Sequence, residues 1–285
     1  MTKHQISACI DGSAISTAVC DTAAWASSAL EAPLTFLNVL EKNRSPMKEN
    51  LSGAIGLGSR EHLLDEQTAL DEKRNKMAIE HGKVLLEDAI HRATAAGAVD
   101  VTGELRHDQL LDALLACEEN TRLYVIGRLG KDHAANKQVI GSHIESVVRS
   151  IHTPLLMTTG QFTTPNNYML AYDGSETANK AIARIANSPL LSKLQGHVVM
   201  VGKETPENQN RLENACKILS AQGHKVQPHL LWGDVNDCLM GFQERHTIEL
   251  KVMGAYGHSR IREFIVGSNT TKMLATSTVP VLIVR

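Results

Sequence analysis

With 285 residues, 42% of them apolar and 21% charged, the chain has the make-up of a globular protein and the length for two domains, each burying its own core. Its 29 Lys and Arg against 31 Asp and Glu leave a formal charge of -2, which excludes both a basic nucleic-acid footprint and an acidic tail. Cysteines stand singly at Cys9, Cys20, Cys117, Cys216 and Cys238, no two of the 13 histidines are spaced i, i+4, and no apolar run reaches the length of a membrane span. A soluble, cytoplasmic protein is expected, with no disulfide framework, no metal site of its own and no nucleic-acid or membrane partner.

The chain opens on a strand-like His4 to Ile10, then Asp11-Gly12-Ser13 and a helix-like Ala14 to Leu30. Leu34 to Leu40 is a continuous apolar run, as in a parallel strand covered on both faces. Residues 43 to 60 are irregular, with Gly53, Gly56 and Gly58, and read as a mobile loop or lid. The Gly-x-Gly-Ser there follows no strand and lacks a following Lys, so it is not a phosphate loop. A long, highly charged helix-like run follows from Leu63 to Ala95. Asp108 then caps a helix-like Leu110 to Cys117, and an apolar strand from Leu123 to Ile126 leads to Gly127 and Gly130. Gly141-Ser142 opens a further helix, and Thr153 to Met157 closes the first half as a strand.

The passage then repeats. Tyr168 to Tyr172, Asp173-Gly174-Ser175 and a helix-like Ala178 to Leu190 answer the opening. Val198 to Val201 is another buried run, and Thr205-Pro206-Glu207 supplies a cap, a first-turn proline and an early acid for a helix that Gly223 ends. Asp234 answers Asp108 as a cap, and Leu250 to Met253 with Gly254 and Gly257 answers Leu123 to Gly130. Gly267-Ser268 answers Gly141-Ser142, and Val279 to Val284 answers Thr153 to Met157. An internal repeat of this kind fixes architecture before local detail. It predicts an α/β chain of two tandem doubly wound parallel-sheet domains, 1–158 and 167–285, with an insertion near 43–60 and a polar linker between them. The last strand of each half, Leu155 to Thr158 and Val281 to Val284, is an apolar edge that invites pairing with the other.

In a doubly wound sheet, ligands bind beyond the carboxyl ends of the strands, where strand order reverses. Asp173 and Met253-Gly254 reach that edge, as does the helix start at Gly267. Glycines let backbone approach an anion, and a helix N-terminus offers it unpaired N–H groups. Each component also has a purely structural reading: Asp-Gly-Ser as a turn with a capping serine, and Ser268 as an ordinary N-cap. His258, Ser259, Arg260 and Arg262 either meet phosphates or are solvated, while Trp232 and Met253 are expected to pack inside.

Asp173-Gly174-Ser175, the Gly-x-x-Gly-x9-Gly-Ser run from Gly254 to Ser268 and the closing Val279-Pro280-Val281-Leu282-Ile283-Val284 resemble the universal stress protein (UspA) family in a tandem two-domain form. The resemblance covers nearly the whole chain except 43–60, and it implies a Rossmann-like, adenine nucleotide α-hydrolase-like fold. The glycine pattern is that of the family's ATP-binding branch. It implies that Asp173, Val201 and Met253 border the adenosine, while Gly254, Gly257, Gly267, Ser268, Asn269 and Thr270 hold ribose and phosphates. ATP or AMP, with or without Mg, is the implied ligand, and a stress-response sensor or adaptor with an undefined protein partner is the implied role. The other reading is a nucleotide-free scaffold presenting a partner surface. No catalytic set appears at a recognisable spacing.

The first half keeps Asp11, Val39, Gly127, Gly130, Gly141 and Ser142 at the matching places. It has ten residues rather than nine between Gly130 and Gly141, and His143 where the second half has Asn269. It is therefore expected to be the secondary site. The two halves are expected to form an intrachain pseudo-dimer, with a homodimer of whole chains as a further step.

Overall fold

The computed structural model describes residues 4–41, 57–128, 142–254 and 277–284. Within them the chain alternates strands and helices: β1 (Gln5–Cys9), α1 (Ser16–Leu30), β2 (Pro33–Val39), α2 (Leu57–Ala95), β3 (Val99–Arg106), α3 (Leu110–Cys117), β4 (Thr121–Gly127), α4 (Ser142–Ser150) and β5 (Leu155–Thr158). The second half follows with β6 (Asn167–Ala171), α5 (Glu176–Ala186), β7 (Gln195–Val201), α6 (Pro206–Ala221), β8 (Lys225–Leu231), α7 (Val235–Arg245), β9 (Lys251–Gly254) and β10 (Val281–Val284).

All ten strands belong to one sheet in the order β3-β2-β1-β4-β5-β10-β9-β6-β7-β8. Each half contributes a parallel set of doubly wound order, and the order reverses between β1 and β4 and again between β6 and β9. The halves meet through the antiparallel pair β5–β10, with Val281 opposite Met157, Leu282 opposite Leu156 and Ile283 opposite Leu155. This is the pairing expected of the two last strands. Each would otherwise present an apolar, unpaired edge.

Alternation along the buried strands divides the core between the two faces of the sheet. Leu34, Phe36, Leu156 and Leu282 pack in one cluster, with α1 and α5, while Leu37, Leu155, Met157 and Ile283 pack in the other, with α4 and α7. Both clusters run across the seam, so the apolar interior is shared by the halves.

Local chemistry sets the helix limits. Thr205 caps α6 by accepting from Asn208 N–H, Pro206 takes the first turn, and Gly223, at φ +84°, ends it. Gly97, also at φ +84°, does the same after α2. Asp234 caps α7, accepting from the N–H groups of Asn236 and Asp237. Asp108 does not follow it. Gln109 is the N-cap of α3, and Asp108 Oδ1 accepts only the N–H of Gln109, one residue too early to serve the helix. The helix expected to run from Ala178 to Leu190 stops at Ala186, since Pro189 disfavours the helical region for Ser188 and opens a 3-10 turn, Pro189–Leu191. The first helix begins at Ser16 rather than Ala14, behind Ile15 at its N-cap. The lid expected at 43–60 falls, up to residue 56, outside the described residues; from Leu57 onward the chain is already in α2.

Candidate functional site

The site is assembled at the carboxyl edge, where β6 and β9 lie side by side with Ala171 opposite Met253. Tyr172 N–H bonds Val199 O, so the chain stays in register with β7 for one residue past β6 and then breaks away at Asp173. Gly174 makes that break possible: it sits at φ +73°, where a side chain is strained. Asp173 Oδ1 accepts from Ser175 N–H, and Ser175 Oγ caps α5 by accepting from Ala178 N–H. The structural reading of Asp-Gly-Ser as a capped turn thus holds, yet the Asp173 carboxylate remains exposed at the strand edge. Val201 ends β7 next door, opposite Leu231, and Gly202 N–H bonds Leu231 O.

Met253 packs in the core as expected, and Gly254 follows it at the edge, half-buried. Among the described residues, a Cβ built at Gly254 would meet nothing nearer than the Cα of Ala178, at 3.9 Å. Gly257, Gly267, Ser268, Asn269 and Thr270, assigned to the ribose and phosphates, lie outside the described residues. So do Gly130 and Gly141 of the first half, and Ser142 is placed only as the first residue of α4.

The matching edge in the first half has a different interior. Asp11 lies two residues past β1, and its Oδ1 accepts from both Ser13 N–H and the Ser16 hydroxyl. Gly12 repeats the φ of +73°, but a Cβ there would come within 2.9 Å of Leu85 and 3.3 Å of His81, because α2 lies over it. Gly127, the counterpart of Gly254, is filled in: Ile15 Cγ2 stands 2.5 Å from the Cβ position. Thr177 occupies the place of Ile15 in the second half. Val39 keeps its position at the end of β2, opposite Arg106. After Gly127 the chain carries Arg128, whose buried guanidinium donates to Ser277 O, 2.6 Å away in the other half.

Two residues at the second edge were not singled out as ligand contacts. Arg211, on α6, stands 3.3 Å by its Cδ from the Cβ position of Gly174 and pairs with Glu207 at 2.6 Å. The i, i+4 Glu207–Arg211 spacing was visible in the sequence, but its position over Gly174 depends on how α6 packs. Trp232 corrects an expectation: it is 70% exposed at the carboxyl end of β8, not packed inside, because Gly233, at φ +144°, turns the chain away into α7 directly after it.

Burial pushes Cys9 up to about 12 and Cys20 and Cys216 up to about 11, far from a reactive thiolate. No group of His, Cys, Asp and Glu among the described residues is placed to hold a metal ion, and no helix among them is long and apolar enough to cross a membrane.

Comparison with known proteins agrees with this architecture. The Universal stress protein family model matches residues 3–159 and 199–285. Universal stress protein Slr1230 of Synechocystis sp. is 34% identical over 281 residues, which is 97% of this chain and 98% of that protein. Among solved structures, a universal stress protein from Archaeoglobus fulgidus superposes with a TM-score of 0.69 at 18% identity, covering 99% of this chain and 97% of that one. The functionally unknown protein PA1789 from Pseudomonas aeruginosa gives 0.63 at 16%, covering 99% and 92%. Matched in both halves by the family model and along nearly its full length by a curated relative, the chain belongs to the universal stress protein family.

Proposed function

We propose that this universal stress protein binds an adenine nucleotide in its second half, at the carboxyl ends of β6, β7 and β9, and acts in the stress response as a sensor or adaptor. The observation that carries the reading is Gly254, which no described side chain crowds, beside an exposed Asp173, set against the step at Gly127 that Ile15 fills. A carboxylate at the strand edge can accept from ribose hydroxyls or base N–H groups, and a glycine left uncrowded admits a ligand to the backbone. The glycine run continuing to Ser268 supports phosphates as the rest of that ligand. Two domains, 1–158 and 167–285, follow from the repeat, with the first half as the secondary site. Five free cysteines suit a reducing compartment, and the cytoplasm is the proposed location.

Phosphate binding is not phosphoryl transfer, and the one carboxylate assigned to the site, Asp173, serves the adenosine end. Turnover of ATP, with or without Mg, is therefore expected to be slow or absent. The test is mass spectrometry of nucleotide released from the denatured protein, followed by titration with ATP and AMP. Variants Gly267→Val and Gly141→Val, checked for folding, assign the site. Loss of binding only in Gly267→Val is the expected result. Loss only in Gly141→Val moves the principal site to the first half. No released nucleotide and no binding would favour the scaffold reading.

A further inference from the structure

Three imidazoles gather where α7 rests on β7 and β8. His197, on β7, is buried, and its Nδ1 stands 3.1 Å from Nε2 of the half-buried His229 on β8. His246, the C-cap of α7, stacks on Phe242 at 4.0 Å between ring centroids and lies 5.4 Å from His197 and 5.6 Å from His229. Phe242 in turn makes T-shaped contacts with both strand imidazoles, at 5.7 and 4.8 Å. The C-terminal half of α7 is therefore seated on the sheet through four rings, three of which can take up a proton.

The 3.1 Å contact limits that protonation. One ring must accept through a lone pair what the other donates, so two imidazolium ions, each carrying N–H at both nitrogens, cannot make it. Burial first, and then the neighbouring imidazoles, hold His197 and His229 below 6.5, and no carboxylate among the described residues acts on either ring. On α7, Asp237, Glu244 and Arg245 are exposed, and Arg245 Nε turns back to Gly241 O at 3.0 Å. On β8, Lys225 is exposed at the far end of the strand from His229. On β9, Lys251 is buried opposite Met169, which itself lies opposite His197, so the next charged group across the sheet is also a cation.

The repeat supplies a contrast. Counted back from the matched strand ends, Thr35 takes the place of His197, Glu104 that of His229 and Tyr124 that of Lys251. There the Thr35 and Thr102 hydroxyls meet at 3.0 Å, and Glu104 accepts from Arg106 Nε at 2.8 Å. Arg106 Nη1 and the Tyr124 hydroxyl donate to Ala113 O and Leu114 O of α3, at 3.3 and 2.6 Å. A guanidinium and a phenol thus hold α3, and His107, ahead of it, is exposed.

We propose that the imidazole cluster is a proton-operated latch: unprotonated, it clasps the C-terminal half of α7 to β7 and β8, and acid releases that helix while the strands beneath stay folded. Release uncovers Leu239 and Phe242, both buried under the docked helix. A ring that takes up its proton only after release favours the released state by about tenfold at one pH unit below its ordinary value, so docking is full above about 6.5 and weakens as pH falls. The latch acts whether or not the carboxyl edge holds a nucleotide.

Hydrogen exchange of the full chain, read by mass spectrometry at pH 7.5 and 5.5 and corrected for the intrinsic pH dependence of amide exchange, tests this. Protection of α7 is expected to fall by about tenfold or more between the two pH values, while α3 and β7 change by less than about twofold. Replacing the touching pair, His197→Gln with His229→Gln, should bring the loss in α7 down to that in α3. Equal protection of α7 at the two pH values, an equal loss in α3, loss in β7 along with α7, or the full acid loss kept in the folded double variant would each overturn the proposal. In the wild type α3 is an internal reference, so that comparison decides the matter even where the double variant fails to fold.

Discussion

At Gly127 and Gly254 the same residue type at the same place in the repeat has opposite tolerance. Gly127→Ala would put a methyl 2.5 Å from Ile15 Cγ2, and overpacking of this kind costs about 1–3 kcal/mol. Gly254→Ala meets no described atom nearer than 3.9 Å and should leave the urea midpoint nearly unchanged. Side-by-side unfolding of the two variants checks this, and a larger loss for Gly254→Ala would show that Gly254 is crowded after all. Histidines give the chain a pH dependence of stability. His197 and His229 touch through Nδ1 and Nε2 at 3.1 Å, with Phe242 of α7 and His246, its C-cap, packed on them. Burial, reinforced by His246 at the first and by His197 and His246 at the second, holds both below the ordinary histidine value of 6.5. The unfolded chain then takes up protons first as pH falls. Stability is full above about 6.5 and declines as pH drops below it toward the folded-state values. Urea midpoints at pH 7.5 and 5.5 should differ in the wild type and differ less in His197→Gln; equal differences would remove the pair from the account.

Among the elements, the helix caps show where the repeat misleads. Asp234 accepts two N–H groups at the start of α7, and Asp234→Ala should cost about 1 kcal/mol, as for loss of a working N-cap. Asp108→Ala, equivalent by sequence, should cost less than half of that, since Asp108 serves only Gln109 ahead of the helix. Thermal unfolding of the two variants settles it; similar losses would contradict the cap assignment. The second helix of each half differs more deeply. α6 has 16 residues and brings Arg211 over Gly174, whereas α2 has 39 and brings His81 and Leu85 over Gly12. The same edge therefore meets a cation in one half and an apolar side chain in the other, which is the strongest element-level support for the proposed inequality of the two sites.

Across the whole molecule, the β5–β10 seam carries the assembly. Leu156 and Leu282 face each other across it and belong to one cluster, fully buried or nearly so. Leu156→Asp would bury a carboxylate in apolar surroundings, and such a change costs about 3 kcal/mol or more. Its expected signature is a lowered urea midpoint together with faster proteolytic cleavage in the linker, residues 159–166, as the halves part. Loss of stability without faster cleavage there would mean that the halves stay joined by other contacts. The outer strands β3 and β8 remain as the sheet's edges, and Pro228 in β8 lacks the N–H that edge pairing uses.

The doubly wound class and the pairing of the two last strands could be read in the sequence, because they depend on periodicity, turn chemistry and repetition, which are local properties copied twice along the chain. Asp173, Met253 and Gly254 were placed at one edge because strand ends converge wherever parallel strands share a sheet, and Val201 was added by the family resemblance. What lies above those ends was not legible. Ile15 over Gly127, α2 over Gly12, Arg211 over Gly174 and the exposed indole of Trp232 all depend on how far a helix reaches across the sheet and which side chain it turns inward. Sequence repetition determined the frame twice over, and tertiary packing, which fills equivalent spaces with unlike side chains, decided that the two halves differ.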